Sequence, residues 1–294
     1  MFEDLRAALL AADFAAEPHG FGRVTGGMDN ELWRFATPDG AEHVLRLYRT
    51  GNDAALEHER LGMAAAAAGG VPVPRFEAAG SWQGRALAVQ PWLPGVPLTE
   101  ALRMPQHLAH LGRALGAMQA AIHAVTAPAK LHYGRPDWWI DLPGPEHAPI
   151  AAAVRRLSLR ADALVHLDYH PLNVLVQGAD VTAVLDWVSA AAADQRADLA
   201  RTAMFLTVPP LPAGMPRPLV RAALAVLRRA WWRGYCAAAG PQRIPPALAA
   251  WAGAWLLHDL EQRLGEPGNW TDERDLAALR RWVATWSARA GVTA

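Results

Sequence analysis

The chain has 294 residues and a mass of 31.7 kDa, enough for one large domain or two ordinary ones. Hydrophobic residues make up 52% and charged residues 19%, which excludes wholesale disorder. The 28 basic residues balance 28 acidic ones, so no global field exists to hold nucleic acid or an anionic membrane, and the single cysteine, Cys236, excludes an internal disulfide framework.

The first residues, MFEDLRAALLAADF, lack the basic region and long apolar stretch of a secretory signal. The longest apolar run, Ile244 to Leu257, is interrupted by prolines and a glycine and is shorter than the roughly 20 residues a bilayer span requires. A soluble cytoplasmic protein with no membrane or nucleic-acid partner is the expectation. Lys130 is the single lysine; every other basic side chain is arginine.

Residues 20 to 95 have a mostly β texture. Phe21 to Thr25, Glu31 to Thr37 and His43 to Tyr48 are short runs containing Val, Leu, Trp and Phe, separated by Gly26-Gly27 and by Pro38-Asp39-Gly40. Asp53 to Ala68 predicts a helix, with Asn52 or Asp53 available as N-cap and Gly69-Gly70 as terminator. Val71-Pro72-Val73-Pro74 cannot be helical. Phe76 to Ala79 and Arg85 to Gln90 flank Gly80 to Gly84 and predict a hairpin, and Pro91-Trp92-Leu93-Pro94-Gly95 reads as a linker between lobes. From Leu98 onward helix dominates: Leu108, Leu111, Leu115, Met118 and Ile122 recur at the three- and four-residue spacing of an amphipathic helix.

The exception is residues 164 to 187. Asn173 to Val176 and Val181 to Leu185 are β-favouring runs around Gly178-Ala179-Asp180, a hairpin signature. Residues equidistant from such a turn oppose one another, so Asn173 and Asp186 face each other within a residue of register, about 5 Å apart at the backbone. An amide oxygen and a carboxylate so placed suit a hard cation such as Mg2+, which takes oxygen ligands and leaves other positions for water and phosphate. Asp168 lies in the loop feeding the first strand, pinned by Pro171, and brings a third oxygen-bearing group toward the same edge.

The run His166-Leu167-Asp168-Tyr169-His170-Pro171-Leu172-Asn173, its hydrophobic strand and the following Leu185-Asp186-Trp187 resemble the catalytic segment of the aminoglycoside phosphotransferase/choline kinase family, relatives of the protein kinases. Leu167 and Leu172 stand where that family often has glycine. Ala193-Asp194-Gln195 stands where it usually shows Gly-Asp-Pro. The resemblance implies an α+β, two-lobed protein-kinase-like fold. Its small antiparallel-sheet lobe would span residues 1–92, and its larger helical lobe, with the catalytic hairpin and acceptor site, residues 93–294. It also implies ATP or GTP as co-substrate, with a small-molecule hydroxyl as acceptor. Asp168 corresponds to the catalytic aspartate, Asn173 and Asp186 to the magnesium ligands, His166 to a brace for the loop, and Asp198 to its anchor.

Within the small lobe, Thr25-Gly26-Gly27-Met28-Asp29-Asn30 resembles the nucleotide-covering loop, where Gly26 and Gly27 would let backbone N–H groups approach phosphates, and the resemblance implies that Asn30 too contacts the nucleotide. Arg46, in Val44-Leu45-Arg46-Leu47, takes the place at which protein kinases put a phosphate-binding lysine. Its partner acid belongs on the next helix: Glu59, with Glu57 as the alternative. Nucleotide is expected between the lobes near Gln90 and Trp92. Two other readings come from the residues themselves. A metallohydrolase could use His166, Asp168 and His170 at alternate positions, and a nucleotide-binding protein without catalysis could use the same fold. His258, Asp259, Glu261 and Glu266 place acids on or near a late helix, a solvated face or a site for a cationic acceptor.

Overall fold

A computed structural model describes residues 2–24, 30–49, 53–103, 105–132, 134–211, 214–265 and 271–292. The Gly26, Gly27 and Glu266 readings lie outside these residues. The chain begins with helix α1 (Phe2–Ala11), then strands β1 (His19–Val24), β2 (Glu31–Ala36) and β3 (Glu42–Leu47), helix α2 (Asp53–Ala68), and strands β4 (Ala78–Trp82) and β5 (Arg85–Pro91). The five strands form one antiparallel sheet in the order β1-β2-β3-β5-β4.

Helix α1 has no counterpart in the sequence reading. Its Leu5, Ala8 and Leu9 are buried against Trp33, Phe35, Leu45, Leu87 and Val89 of the sheet. The hairpin also departs from expectation. β4 runs on through Gly80 to Trp82, and the turn shrinks to Gln83 and Gly84, both with positive φ, as a tight two-residue hairpin requires. Gly80 is a strand residue because the end of α1 lies over it: a Cβ there would sit 2.5 Å from the Ala11 carbonyl oxygen.

Beyond the sheet come β6 (Val96–Pro97), α3 (Leu108–His123), α4 (Ala148–Arg155), β7 (Ala163–Val165), β8 (Val174–Gln177), β9 (Asp180–Val184) and β10 (Ala191–Ala193). Four helices close the chain: α5 (Gln195–Phe205), α6 (Arg217–Ala239), α7 (Pro246–Gln262) and α8 (Glu273–Arg289). β8 and β9 form the expected hairpin, with Val174 opposite Val184 and Gln177 opposite Asp180. Just past the segment read as a linker, Val96–Pro97 supplies a third strand to it, since Val96 pairs with Val176. A second ribbon joins β7 to β10, where three buried alanines leave room for close packing that the sequence reading had assigned to no strand.

The apolar run at 244–257 becomes α7, whose Leu248, Trp251 and Ala252 are fully buried in the main helical core. Among the described residues no helix is long and apolar enough to cross a membrane. The fold is α+β: an antiparallel-sheet N-terminal part followed by a mainly helical C-terminal part in which the β8–β9 hairpin is embedded.

Candidate active site

Strand β3 aims Arg46 inward, and α2 brings Glu59 to it. The Arg46 guanidinium donates to Glu59 Oε1 at 2.6 Å and to Asp186 Oδ1 at 3.1 Å. Tyr48 Oη–H donates to Glu59 Oε2 at 2.6 Å, and the backbone N–H of Trp187 reaches Glu59 Oε1 at 3.4 Å. Glu59 thus joins the sheet, α2 and the end of the β8–β9 hairpin. Glu57 instead pairs with Arg60 on the surface. Burial pushes the Glu59 carboxyl above its ordinary value, against the pull of Arg46. Burial would also favour neutral Arg46, but the Glu59 and Asp186 carboxylates outweigh it and hold the guanidinium charged. The Glu59 side chain is 1% exposed and that of Asp186 is 40% exposed, so Asp186 is the member of this group open to a ligand.

Asp186 sits just past β9 with φ of +61°, a left-handed conformation that is costly for a non-glycine residue. That conformation is held where the Leu185 N–H donates to the Asn173 carbonyl oxygen at 2.8 Å and Trp187, fully buried, donates from Nε1 to the Val184 carbonyl oxygen. The hairpin therefore places Asn173 directly opposite Leu185, one residue from Asp186.

The loop of residues 166–173 is the second strained segment, with Leu167 at φ +59°. Both backbone groups of Leu167 are clamped by α5: its N–H donates to Asp198 Oδ1 at 2.7 Å, and its carbonyl oxygen accepts from Arg201 Nε at 2.8 Å. Helix α5 starts where it does because the Asp194 carboxylate caps the Arg196 N–H. Asp198 and Arg201, three residues apart, then share one helical face. Asp198 also accepts from Gln119 and His123 of α3, so a fully buried carboxylate is saturated with donors, and these hold it ionised below the usual range against the cost of burial.

His166 is buried and its pKa lowered by that burial, so the ring is neutral. Its Nε2–H donates to the Leu185 carbonyl oxygen at 2.9 Å, which leaves Nδ1 to accept from the Asp168 N–H at 3.3 Å. With both nitrogens engaged, the ring ties the loop to the hairpin and has no lone pair for a metal. Among the described residues no cluster of three or more His, Cys, Asp or Glu side chains is arranged to hold a metal ion.

The Asp168 carboxylate is 26% exposed. Asn173 Nδ2–H donates to Asp168 Oδ2 at 2.9 Å and to the Asp168 carbonyl oxygen at 3.0 Å, Arg201 approaches Oδ1 at 3.4 Å, and His170 Nε2 lies 3.3 Å from Oδ2. Burial opposes ionisation here, but His170 and Arg201 outweigh it and hold the carboxyl well below the usual carboxylate range. Because Nδ2 of Asn173 is committed to Asp168, its amide oxygen is the group available to a ligand. Asn173 lies opposite Leu185, next in the chain to Asp186, so this end of the hairpin carries an amide oxygen and an exposed carboxylate, the oxygen donors that a magnesium ion takes.

Arg201, which holds Leu167 and approaches Asp168, is a residue that the sequence alone does not single out. It is buried, stacked 3.8 Å over the Trp255 ring and 4.8 Å from that of Phe205. The Asp198-x-x-Arg201 spacing on a capped helix was its only signal. Asn30 is half-buried at the start of β2. Gln90 turns its amide toward Met63 inside the molecule, and Trp92 lies under the Arg34 guanidinium at 4.5 Å. Of the late acids, Glu261 pairs with Arg280, and His258 pairs with Glu146. Asp259 lies half-buried near Arg201 and Asp168, where burial pushes its carboxyl up to about 6. A largely apolar hollow of about 290 Å³, lined by Trp138, Leu142, Val188, Ser189 and Trp255, opens beside this region.

The model of the APH phosphotransferase enzyme family matches residues 21–247, from the first strand to the start of α7. No curated protein matches the chain. Solved structures match over nearly its whole length. A thermostable mutant of the aminoglycoside phosphotransferase APH(4)-Ia, in ternary complex with AMP-PNP and hygromycin B, is 18% identical, with a TM-score of 0.67 and 99% of each chain covered. A macrolide 2′-phosphotransferase from Brachybacterium faecium is 22% identical, with a TM-score of 0.55 over 97% of this chain and 96% of that one. A point mutant of aminoglycoside 2′-phosphotransferase-IIIa in complex with GDP is 13% identical, with a TM-score of 0.59 and 97% of each chain covered. At these identities the likeness establishes the protein-kinase-like fold. The family match spans the sheet, α2, the strained loop and the hairpin that carry Arg46, Glu59, Asp168, Asn173 and Asp186, and the chain belongs to the APH phosphotransferase family.

Proposed function

We propose that the protein is a kinase that moves the γ-phosphate of ATP or GTP to a hydroxyl of a small molecule. The observation that carries this reading is the meeting of two clusters. Arg46, Glu59 and Tyr48 come from the sheet side, and Asp168 and Asn173 from the helical side, with Asp186 joining them. Phosphoryl transfer passes through a loose transition state, so the protein's task is to position groups and balance charge.

In this reading Arg46 forks toward the nucleotide phosphates, with Glu59 fixing its direction. Asn173 and Asp186 would hold Mg2+, which would supply charge neutralisation at the phosphate oxygens. Asp168 accepts a hydrogen bond from the acceptor hydroxyl and takes its proton as the hydroxyl oxygen bonds to the γ-phosphorus, while the bond from that phosphorus to the β–γ bridging oxygen breaks and the nucleoside diphosphate leaves. Asp168 stays ionised at neutral pH because His170 and Arg201 favour its charged form. The acceptor sits against the helical part, between Asp168 and the hollow walled by Trp138 and Trp255. Neighbouring structures that hold AMP-PNP with hygromycin B, or GDP, support a nucleotide and a small-molecule acceptor while leaving both purines open. The hydrolase reading loses its support because His166 spends both ring nitrogens on the backbone.

The test is a coupled assay of nucleoside diphosphate release with ATP and with GTP across amino-alcohol, sugar, aminoglycoside and macrolide acceptors. Acceptor-dependent turnover by the parent, lost in Asp168→Asn, supports the reading. Turnover equal in both, or none with any acceptor despite nucleotide binding, contradicts it.

A further inference from the structure

Helix α6 is strongly basic within a chain of zero net charge. It carries Arg217, Arg221, Arg228, Arg229 and Arg233 and no acidic residue. Arg217 is neutralised by Asp272, which caps α8, and by Asp275 in its first turn. Arg228, Arg229 and Arg233 are exposed, and among the described residues none of them pairs with a carboxylate; the same holds for Arg243, just before α7. These four arginines line one concavity of about 500 Å³ between α6, α8 and the ends of α5 and α7. That volume matches the size range of small-molecule sites.

The rest of the lining mixes aromatic and small residues: Trp232, Trp282 and Trp286 with Ile244 and alanines of α5 and α7, and the Arg289 guanidinium lies 4.7 Å over the Trp286 ring. Trp282 is fixed by donating Nε1–H to the Ala249 carbonyl oxygen at 2.7 Å, and its ring centroid lies 5.6 Å from that of Trp286. The groove thus combines a preset ring-binding wall with four planar cations, each able to fork onto phosphate oxygens. Like charges gathered around one hollow repel one another, and an anion relieves that repulsion.

This groove is separate from the catalytic loop. On α5, Asp198, Arg201, Thr202 and Phe205 form the stripe that touches residues 166–170. Ala200 and Ala203, on another face of the same helix, line the groove.

We propose that this groove is a second, non-catalytic binding site for a small polyanion bearing a planar ring, of the class of a nucleoside bisphosphate. The proposal is independent of the assignment of the catalytic residues. The probe is adenosine 3′,5′-bisphosphate, titrated by calorimetry into the full chain with Mg-AMP-PNP in excess so that the cleft between the sheet and the hairpin is occupied. The expected result is one further site with Kd below about 100 µM at low salt, weakening as ionic strength rises.

The triple variant Arg228→Glu/Arg229→Glu/Arg233→Glu should lose at least about tenfold in affinity, and the single Arg229→Glu a smaller part of it. Trp286→Ala should weaken the bisphosphate while leaving inorganic pyrophosphate, the ring-free probe, unchanged. Acceptor phosphorylation by the arginine variants should match the parent. No saturable binding up to about 1 mM, binding unaltered by Arg229→Glu, or pyrophosphate binding as tightly as the bisphosphate would each overturn the proposal.

Discussion

Asp168 is held by three neighbours of different kinds, and each has a separable consequence. Asn173 orients one carboxylate oxygen, while Arg201 and His170 favour its charge. Asp168→Asn should cut single-turnover transfer by at least about a hundredfold, the range of a lost general base, while nucleotide affinity stays within a few-fold. Unchanged turnover would remove Asp168 from the chemistry. Arg201→Met removes a buried cation, so the Asp168 pKa rises toward its ordinary value of about 3.9, and the acid limb of kcat moves to higher pH. Arg201→Lys keeps the charge and should restore part of the shift; a purely structural arginine would lower stability and leave the limb in place.

Arg46→Ala leaves Glu59 buried beside Asp186 without its cation. It should raise the nucleotide KM and cost about 3–5 kcal/mol of stability, the range for breaking a buried pair. Measured KM and urea midpoints check both halves. The opposition of Asn173 and the Leu185-Asp186 end of the hairpin was readable in the sequence because strand period and turn position fix which residues oppose. Arg201 was not, because its role needs α5 packed beneath Leu167, a contact 34 residues distant in the chain.

At the level of elements, legibility followed periodicity. α2, α3 and the β8–β9 hairpin were readable from spacing and terminators, whereas α1 and the β7–β10 ribbon were not. α1 is a short helix whose apolar face has meaning only against the sheet. β10 is three alanines, a strand by virtue of its pairing with β7 and of the space it fills, and alanine carries no β preference of its own. The β4–β5 turn was misplaced because Gly80 looks like a turn residue and is instead the point at which α1 presses on a strand.

The same principle fixes the contact between α3 and α6. A Cβ on Gly116 would lie 2.1 Å from the Trp231 carbonyl oxygen, so the two helix backbones touch there. Gly116→Ala must push them apart and should destabilise by about 1–3 kcal/mol despite the better helix propensity of alanine. A rise in the urea midpoint would show that the helices are not in contact at that point.

Over the whole molecule, the helical part carries one acid whose state should be legible in global stability. Asp259 is pushed up from 3.8 to about 6 by burial. The folded protein keeps a proton there that the unfolded chain releases, so stability falls as pH rises through the window from about 4 to 6. Asp259→Asn lacks that loss. It should match the parent below pH 4 and exceed it at pH 7 by about 1–2 kcal/mol, allowing for partial exposure. Parallel stability curves across that window would show that Asp259 titrates normally.

The sheet and the helical part meet chemically at Asp186, which faces Arg46 on one side and Asn173's end of the hairpin on the other. The account depends on that residue linking nucleotide binding to a divalent cation. The most direct measurement is the affinity for ATP and GTP, with and without magnesium, in the parent and in Asp186→Ala. The account predicts that magnesium tightens binding by the parent at least about tenfold and leaves the variant unaffected; an equal magnesium gain in both proteins would contradict it.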